Sequence, residues 1–228
     1  MLLLALDTAT PAGSVALLEG ERVLAARHFD AGAHHSARLF VVVESALAAA
    51  GRRADEVEGV AVTIGPGSFT GLRIGLSAAK GFCLARSAPL AAVPTLEVLA
   101  ARLPFCPHPV CALLDARRGE VYGALYDTSA GMPQLLEGPL AAAMDEVVAR
   151  WLGGPAVCTG DGAAAHAELL AGLAGARLAP AHCRRPDAAT VGALGLERLR
   201  RGEAADLAAV EPDYLRTPAF KLASAARP

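Results

Sequence analysis

The sequence predicts an α/β protein of two unequal lobes, each a mixed sheet with flanking helices, the second lobe the smaller. Three observations predict it. The first hundred residues alternate as β-β-β-α-β-α. A proline-rich stretch follows, with Pro104, Pro107 and Pro109 within six residues, and marks a boundary. Beyond it a strand, a tight turn and a second strand open a partial echo of the first half, so a duplicated lobe is expected. The N-terminal lobe is placed at 1–103 together with about 212–228, and the C-terminal lobe at 104–211.

The elements are taken in order. Residues 2–7 form an apolar run ending in an acid, and 14–18 form a second. Thr8-Ala-Thr-Pro-Ala-Gly13 between them has turn chemistry. Residues 21–29, with Val23 and Phe29, read as a third strand, which makes an antiparallel meander. Residues 35–50 read as a helix closed by Gly51. Residues 57–64 read as a buried strand and 71–86 as a second helix. In the second lobe, strands are expected at 110–114 and 121–126 around a turn at 117–120. A helix near 145–152, a strand at 156–159 and alanine-rich helices near 163–174 and 189–201 complete it.

The chain has 228 residues, 54% of them hydrophobic and 19% charged. It can bury a substantial core and is not a disordered polymer. No apolar run reaches the roughly 18–20 residues that span a bilayer. The opening Met1-Leu-Leu-Leu-Ala-Leu6 is too short for a signal core and meets Asp7 at once, so a cytoplasmic location is expected. Five cysteines, at 83, 106, 111, 158 and 183, are an odd number with no C-x-x-C pair. Buried free thiols are expected rather than disulfides or a zinc knuckle. The formal charge is −2, and Lys80 and Lys221 are the only lysines. Gripping nucleic acid unaided usually takes a basic excess, so RNA binding in isolation is expected to be weak. The arginine pairs at 52–53, 117–118, 184–185 and 200–201 read as solvated surface.

The most informative stretch runs Ile64-Gly-Pro-Gly-Ser-Phe-Thr-Gly-Leu-Arg-Ile-Gly75. Gly65 and Gly67 flank Pro66 at the end of a strand, and Ser68 or Thr70 can cap the helix that follows. A glycine turn feeding a helix N-terminus gathers free N–H groups into an anion site. It is not a P-loop, since no Gly-Lys-Ser/Thr follows. A tight turn with no ligand fits equally well. The helix at 71–86 has small residues at Gly71, Gly75, Ala78 and Ala79, and a narrow polar stripe at Arg73, Ser77 and Lys80. The helix at 35–50 is apolar nearly all round. Helices apolar on more than one face are buried on both sides, by the sheet and by either an internal neighbour or a partner protein. The partner face is placed at Leu39, Phe40, Val43, Leu47, Phe69, Leu72, Gly75, Leu76 and Ala79. Asp7, Thr8, Gly65, Gly67 and Ser68 are placed as a vestigial nucleotide or anion site, with Asp7 more readily a turn cap than a metal ligand.

Leu4-Ala-Leu-Asp-Thr-Ala-Thr10 with Ser14-Val-Ala-Leu17 resembles the phosphate hairpin that opens the actin-like ATPase superfamily. Gly65 to Gly75 resembles a signature shared by the TsaB family and its larger TsaD paralogues. Asp115-Ala-Arg-Arg-Gly-Glu-Val-Tyr122 and Glu211-Pro-Asp-Tyr-Leu-Arg216 are similar to TsaB motifs. The motifs lie in family order from residue 4 to 216. A TsaD-like His-x-x-x-His metal pair is missing: four residues after His34 and His35 stand Arg38 and Leu39. Gly160-Asp-Gly162 is loosely similar to an adenosine motif of the superfamily.

The resemblance implies two RNase H-like, actin-type lobes and a non-catalytic subunit with no metal site. Its implied role is to pair with TsaD, which places threonylcarbamoyl on N6 of adenosine 37 in tRNAs reading codons that begin with A. The TsaE ATPase joins that complex, and tRNA is met through it. ATP or ADP with Mg is expected at most weakly, within the complex. Alone, the same helices could pair two copies as a homodimer. The rival readings are an independent small actin-like ATPase or phosphotransferase and, more remotely, a metalloprotease-like hydrolase.

Overall fold

The structure is a computed structural model describing residues 1–30 and 35–215, with the side chains of 35–37 left out of the description. His34 and the C-terminal segment from 216, parts of the expectations above, lie outside the described residues. The elements are β1 (Leu2–Asp7), β2 (Ala12–Glu19), β3 (Arg22–Asp30), α1 (His35–Ala49), β4 (Gly59–Gly65), α2 (Phe69–Arg86), β5 (Leu90–Pro94) and α3 (Thr95–Ala101). They continue as β6 (Val110–Arg117), β7 (Glu120–Asp127), β8 (Gln134–Ala143), α4 (Met144–Trp151), β9 (Ala156–Thr159), α5 (Asp161–Ala165), α6 (Ala167–Ala171), β10 (Ala176–Leu178) and α7 (Ala188–Arg200).

Two five-stranded sheets result, in the orders β3-β2-β1-β4-β5 and β10-β9-β6-β7-β8. In each, three antiparallel strands form a meander, and two further strands add in parallel beside the first. Read outward from the meander, the two orders coincide. The partial echo in the sequence is therefore a repeated topology, and the fold is the two-lobed α/β class expected.

Alternation explains why β1 is buried throughout. Successive side chains leave a strand on opposite faces. Leu2, Leu4 and Leu6 enter the core shared with α1 and α2, while Leu3 and Ala5 enter the core beneath α7. Fully burying each leucine contributes about 1.5–3 kcal/mol. The end of α1 follows local rules. Gly51 takes φ +63°, and Arg52 N–H donates to the Leu47 carbonyl at 3.0 Å, a left-handed cap that closes the last turn.

Several expectations are corrected. The strands β5, β8 and β10 and the helix α3 were not expected. Leu90-Ala-Ala-Val-Pro94 is short, alanine-rich and bounded by proline, so it lacks the β-branched alternation that marks a strand. The helix expected at 163–174 is two short helices meeting at His166. Most consequential, α7 falls inside the stretch assigned to the C-terminal lobe, yet it packs on β1, β2, β4 and β5 of the first sheet. Conversely α3, from the first hundred residues, supplies Leu96, Leu99 and Ala100 to the core against β6 and β7. Each sheet is thus roofed on one face by a helix from the other half of the chain.

All five cysteines are free; four are buried, and Cys106 is half-buried. Several arginines end in surface ion pairs, as with Arg53–Asp55 and Arg200–Glu21. No helix among the described residues is long and apolar enough to cross a membrane.

Candidate functional site

The hairpin β1–β2 and the turn from β4 into α2 meet, and most of the residues singled out as an anion site lie there. Asp7 is fully buried. Its Oδ1 accepts from the Thr63 hydroxyl at 2.9 Å and from the Ala9 amide at 3.1 Å, which is the turn-capping geometry expected of it. Its Oδ2 has no hydrogen-bond partner among the described residues. Burial pushes the carboxyl up to about 6; the Ala9 and Thr63 hydrogen bonds pull the other way, and the nearby Asp187 charge adds to the rise.

Thr8 donates its hydroxyl to the Gly71 carbonyl at 2.8 Å. This contact requires glycine in α2: a Cβ at Gly71 would stand 2.0 Å from the Thr8 carbonyl oxygen, and one at Gly75 would stand 2.2 Å from its Oγ1. The Ser68 amide donates to the Ala9 carbonyl at 2.7 Å, and the Ser68 hydroxyl accepts from the Gly71 amide at 3.2 Å. Two of the donors that would meet an anion are therefore engaged within the chain. Gly65 takes φ +128° because the C-terminal segment crosses it; the Asp213 amide donates to the Ile64 carbonyl at 2.7 Å.

In front of this turn lies a cleft of about 440 Å³ between the lobes. Gly67, Ser68 and Phe69 form one wall, and Asp115, Arg117, Tyr122 and Asp161 form the other. The two acids are tied to backbone: Asp161 Oδ1 accepts from the Asp115 amide, and Asp115 Oδ1 accepts from the Arg117 amide. Burial raises the Asp161 carboxyl above its ordinary range. Of the predicted site, Gly67 and Ser68 reach this cleft, while Asp7, Thr8 and Gly65 are sealed behind it. Among the described residues no group of three or more His, Cys, Asp or Glu is placed to hold a metal.

The second candidate surface is the outer side of α1 and α2. Here the residue assignments need correction. Leu39, Val43, Leu47, Leu72, Gly75, Leu76 and Ala79 are all buried within the chain. Leu39, Val43, Leu47, Leu76 and Ala79 join the core on the first sheet, and Gly75 lies against Thr8. Phe69 is half-buried, its ring 5.0 Å from that of Tyr214 and 3.9 Å from the Arg73 guanidinium carbon. Only Phe40 of the nine faces outward, 49% exposed. With it stand Val41 at 64% and Leu84 at 71%. Phe40, Ile74, Ala78, Phe82 and Ala85, with Arg73, line an open apolar groove of about 560 Å³. The sequence signal for this face was the polar stripe Arg73–Ser77, which points to solvent; the apolar residues flanking that stripe are the outward ones.

The model of the family described as TsaD, tRNA N6-adenosine threonylcarbamoyltransferase, matches residues 29–224. The tRNA threonylcarbamoyladenosine biosynthesis protein TsaB of Bacillus subtilis (strain 168) is 31% identical over 95% of this chain and 94% of its own. A crystal structure of an uncharacterized Pseudomonas aeruginosa protein, described as similar to the peptidase YeaZ, superposes with a TM-score of 0.83. It is 31% identical and covers 94% of this chain and 99% of its own. A Clostridium difficile 2-hydroxyisocaproyl-CoA dehydratase activator shares the fold alone, with a TM-score of 0.51, 13% identity, and coverage of 89% of this chain and 97% of its own. Full-length similarity, motifs in family order and the doubled sheet topology agree, and the chain belongs to the TsaB family, on the TsaD-type branch of the actin-like ATPase fold.

Proposed function

We propose that the chain is a non-catalytic subunit in the biosynthesis of threonylcarbamoyladenosine in tRNA, and that it works by docking on a larger TsaD-type paralogue. The observation that carries this reading is the apolar groove on α1 and α2, with Phe40 of its lining turned to solvent and Val41 and Leu84 exposed on the same two helices. Contiguous apolar surface of this kind marks an interaction site. The paralogue would present the equivalent helices, since it shares the glycine signature that shapes α2. The paralogue supplies the transfer chemistry and, with a TsaE-type ATPase, assembles the site where tRNA is met. In its absence the same face can pair two copies of the chain. The location is cytoplasmic, where tRNA is modified.

The test is co-elution of the purified chain with a TsaD-type protein on size exclusion. Phe40→Asp places a carboxylate on the exposed lining of the groove, and Leu84→Asp places one on the exposed side of α2. Both are expected to leave the fold intact and to weaken docking by about 3–5 kcal/mol, the cost of an unpaired charge sealed in an interface. Full co-elution of both folded variants would remove the face from consideration. The rival enzyme reading is addressed by calorimetry with ATP and Mg on the isolated chain. Tight binding with turnover would overturn the accessory role; weak or no binding agrees with it.

A further inference from the structure

Apart from the cleft and the groove, a third cavity, of about 390 Å³, lies where β3, the end of α3 and the stretch 181–187 leading into α7 meet. Its polar lining is His28, Asp30, Arg102, His182, Arg185 and Asp187. Here α3 ends and α7 begins, which sets Arg102 beside Asp187 at 2.8 Å. The arginine pair at 184–185 divides. Arg184 Nε donates to the Ala179 carbonyl at 2.5 Å, whereas Arg185 lines the cavity and has no hydrogen bond or ion pair among the described residues. From this arrangement we infer that the cavity is a binding site for a phosphate group, with Arg185, His28 and His182 as its donors and Arg102 as a fixed cation in its wall.

The balance of donors and acceptors points to an anion. Asp187 is already committed: its Oδ1 accepts from the Ala189 amide at 2.7 Å and caps α7, and its Oδ2 pairs with Arg102 Nη1 at 2.8 Å and stands 4.0 Å from His28 Nε2. Asp30 is then the remaining acid, set against Arg185 and two imidazoles. A guanidinium has N–H donors and no acceptor, and an imidazole keeps at least one N–H in either charge state. Asp30 works against an anion, and the three donor side chains outnumber it. They come from β3 on one side and from 182–185 on the other, and a phosphate group offers several acceptor oxygens that can meet both. Arg102 is held in place, its Nη2 donating to the His182 carbonyl at 2.5 Å. Its Nε is buried without a hydrogen-bond partner among the described residues, so the protein satisfies this cation incompletely. The N-terminus of α7 opens at Asp187 on the cavity wall, and its dipole adds a positive field. The first amides of that helix are taken by Ser14 and Asp187, so side chains must supply the donors.

This site does not depend on the docking proposed above. Two sources can supply the group: a free phosphate or phosphate ester, and the backbone of an RNA strand. The experiment follows the imidazole C–H resonances of the full chain by NMR, at constant ionic strength, during titration with inorganic phosphate. The His28 and His182 signals should shift saturably, while those of His108 and His166, outside the cavity lining, stay in place. Arg185→Ala and His182→Gln alter exposed side chains, and position 182 holds Arg102 through its carbonyl, so both variants should fold normally. Read at His28, each should weaken phosphate binding about tenfold, the loss of one charge-assisted hydrogen bond. Arg177→Ala, which removes an exposed charge on β10, should leave binding unchanged. A second arm adds an oligouridylate without terminal phosphates. Displacement of inorganic phosphate with the same dependence on Arg185 assigns the group to an RNA backbone; no displacement assigns it to a free phosphate or ester. Absence of saturable shifts, equal shifts at all four histidines, or affinities that respond alike to Arg185→Ala and Arg177→Ala overturn the inference.

Discussion

Asp7 concentrates the residue-scale argument, because one side chain there is both a structural cap and an electrostatic liability. Its carboxyl is buried, half-partnered and pushed up to about 6 from an ordinary 3.8, mainly by burial. An acid whose folded pKa lies above its unfolded value binds its proton more tightly when folded. Its contribution to stability is then greatest at low pH and is lost as pH rises from about 4 to about 6. The difference is about 3 kcal/mol, and the contribution is flat above that window. Asp7→Asn keeps an oxygen to accept from Ala9 and Thr63 and carries no charge. Denaturant midpoints between pH 4 and pH 7 should fall with pH in the native chain, beyond whatever slope Asp7→Asn retains. Parallel profiles in the two proteins would mean that Asp7 does not carry the ionisation penalty. The capping role of Asp7 was legible, since an acid stood at the head of a turn-forming run. Its tertiary companions, Thr63 and Asp187, were not, because they come from elements 56 and 180 positions further along the chain.

Between elements, the fit of α2 against the β1–β2 hairpin decides how close the helix can come. Gly75→Ala introduces a methyl group against the Thr8 hydroxyl and is expected to cost about 1–3 kcal/mol through overpacking, read as a shift in the urea midpoint. The two sides of the helix differ as sharply. Leu76→Ala removes packing from the shared core and should cost about 2–5 kcal/mol, whereas Leu84→Ala on the outer side should change stability by less than about 0.5 kcal/mol. Similar losses at both positions would show that the assignment of inner and outer faces is wrong. The sequence made it plain that both helices are apolar on more than one side. Which side meets the sheet was hidden because α1 and α2 are so rich in leucine, valine and alanine that periodicity alone leaves the phase open. The missed strands have a related cause. In β5 and β8 alanine, proline and glycine interrupt the alternation, although the strands pair with β4 and β7.

At the scale of the whole molecule, the exchange of α3 and α7 makes the lobes interdependent. Removing α3 bares Val110, Ala112 and Leu114 of the second sheet, so a fragment spanning 104–187 should be insoluble or molten. A fragment spanning 95–187, which includes α3, should bury those residues and give sharper tertiary signals in near-ultraviolet circular dichroism. Indistinguishable fragments would argue against the role given to α3. The salt bridges Arg198–Glu97 and Arg102–Asp187 tie the exchanged segments together across the boundary, one at 2.5 Å and the other at 2.8 Å. The repeat of the two sheets was partly legible as a strand, turn and strand after the prolines. The exchange was not, since nothing in α7 itself distinguishes a helix returning to the first sheet from one staying beside its sequence neighbours.

The same exchange bears on how the polypeptide is made. A ribosome releases β1 well over a hundred residues before α7, the helix that shields the underside of that strand. Until residue 200 is clear of the exit tunnel, Leu3, Ala5 and Leu18 wait without their cover. The N-terminal half must therefore spend most of its synthesis as an open-faced sheet, and it becomes protease-resistant only when the closing helix has arrived.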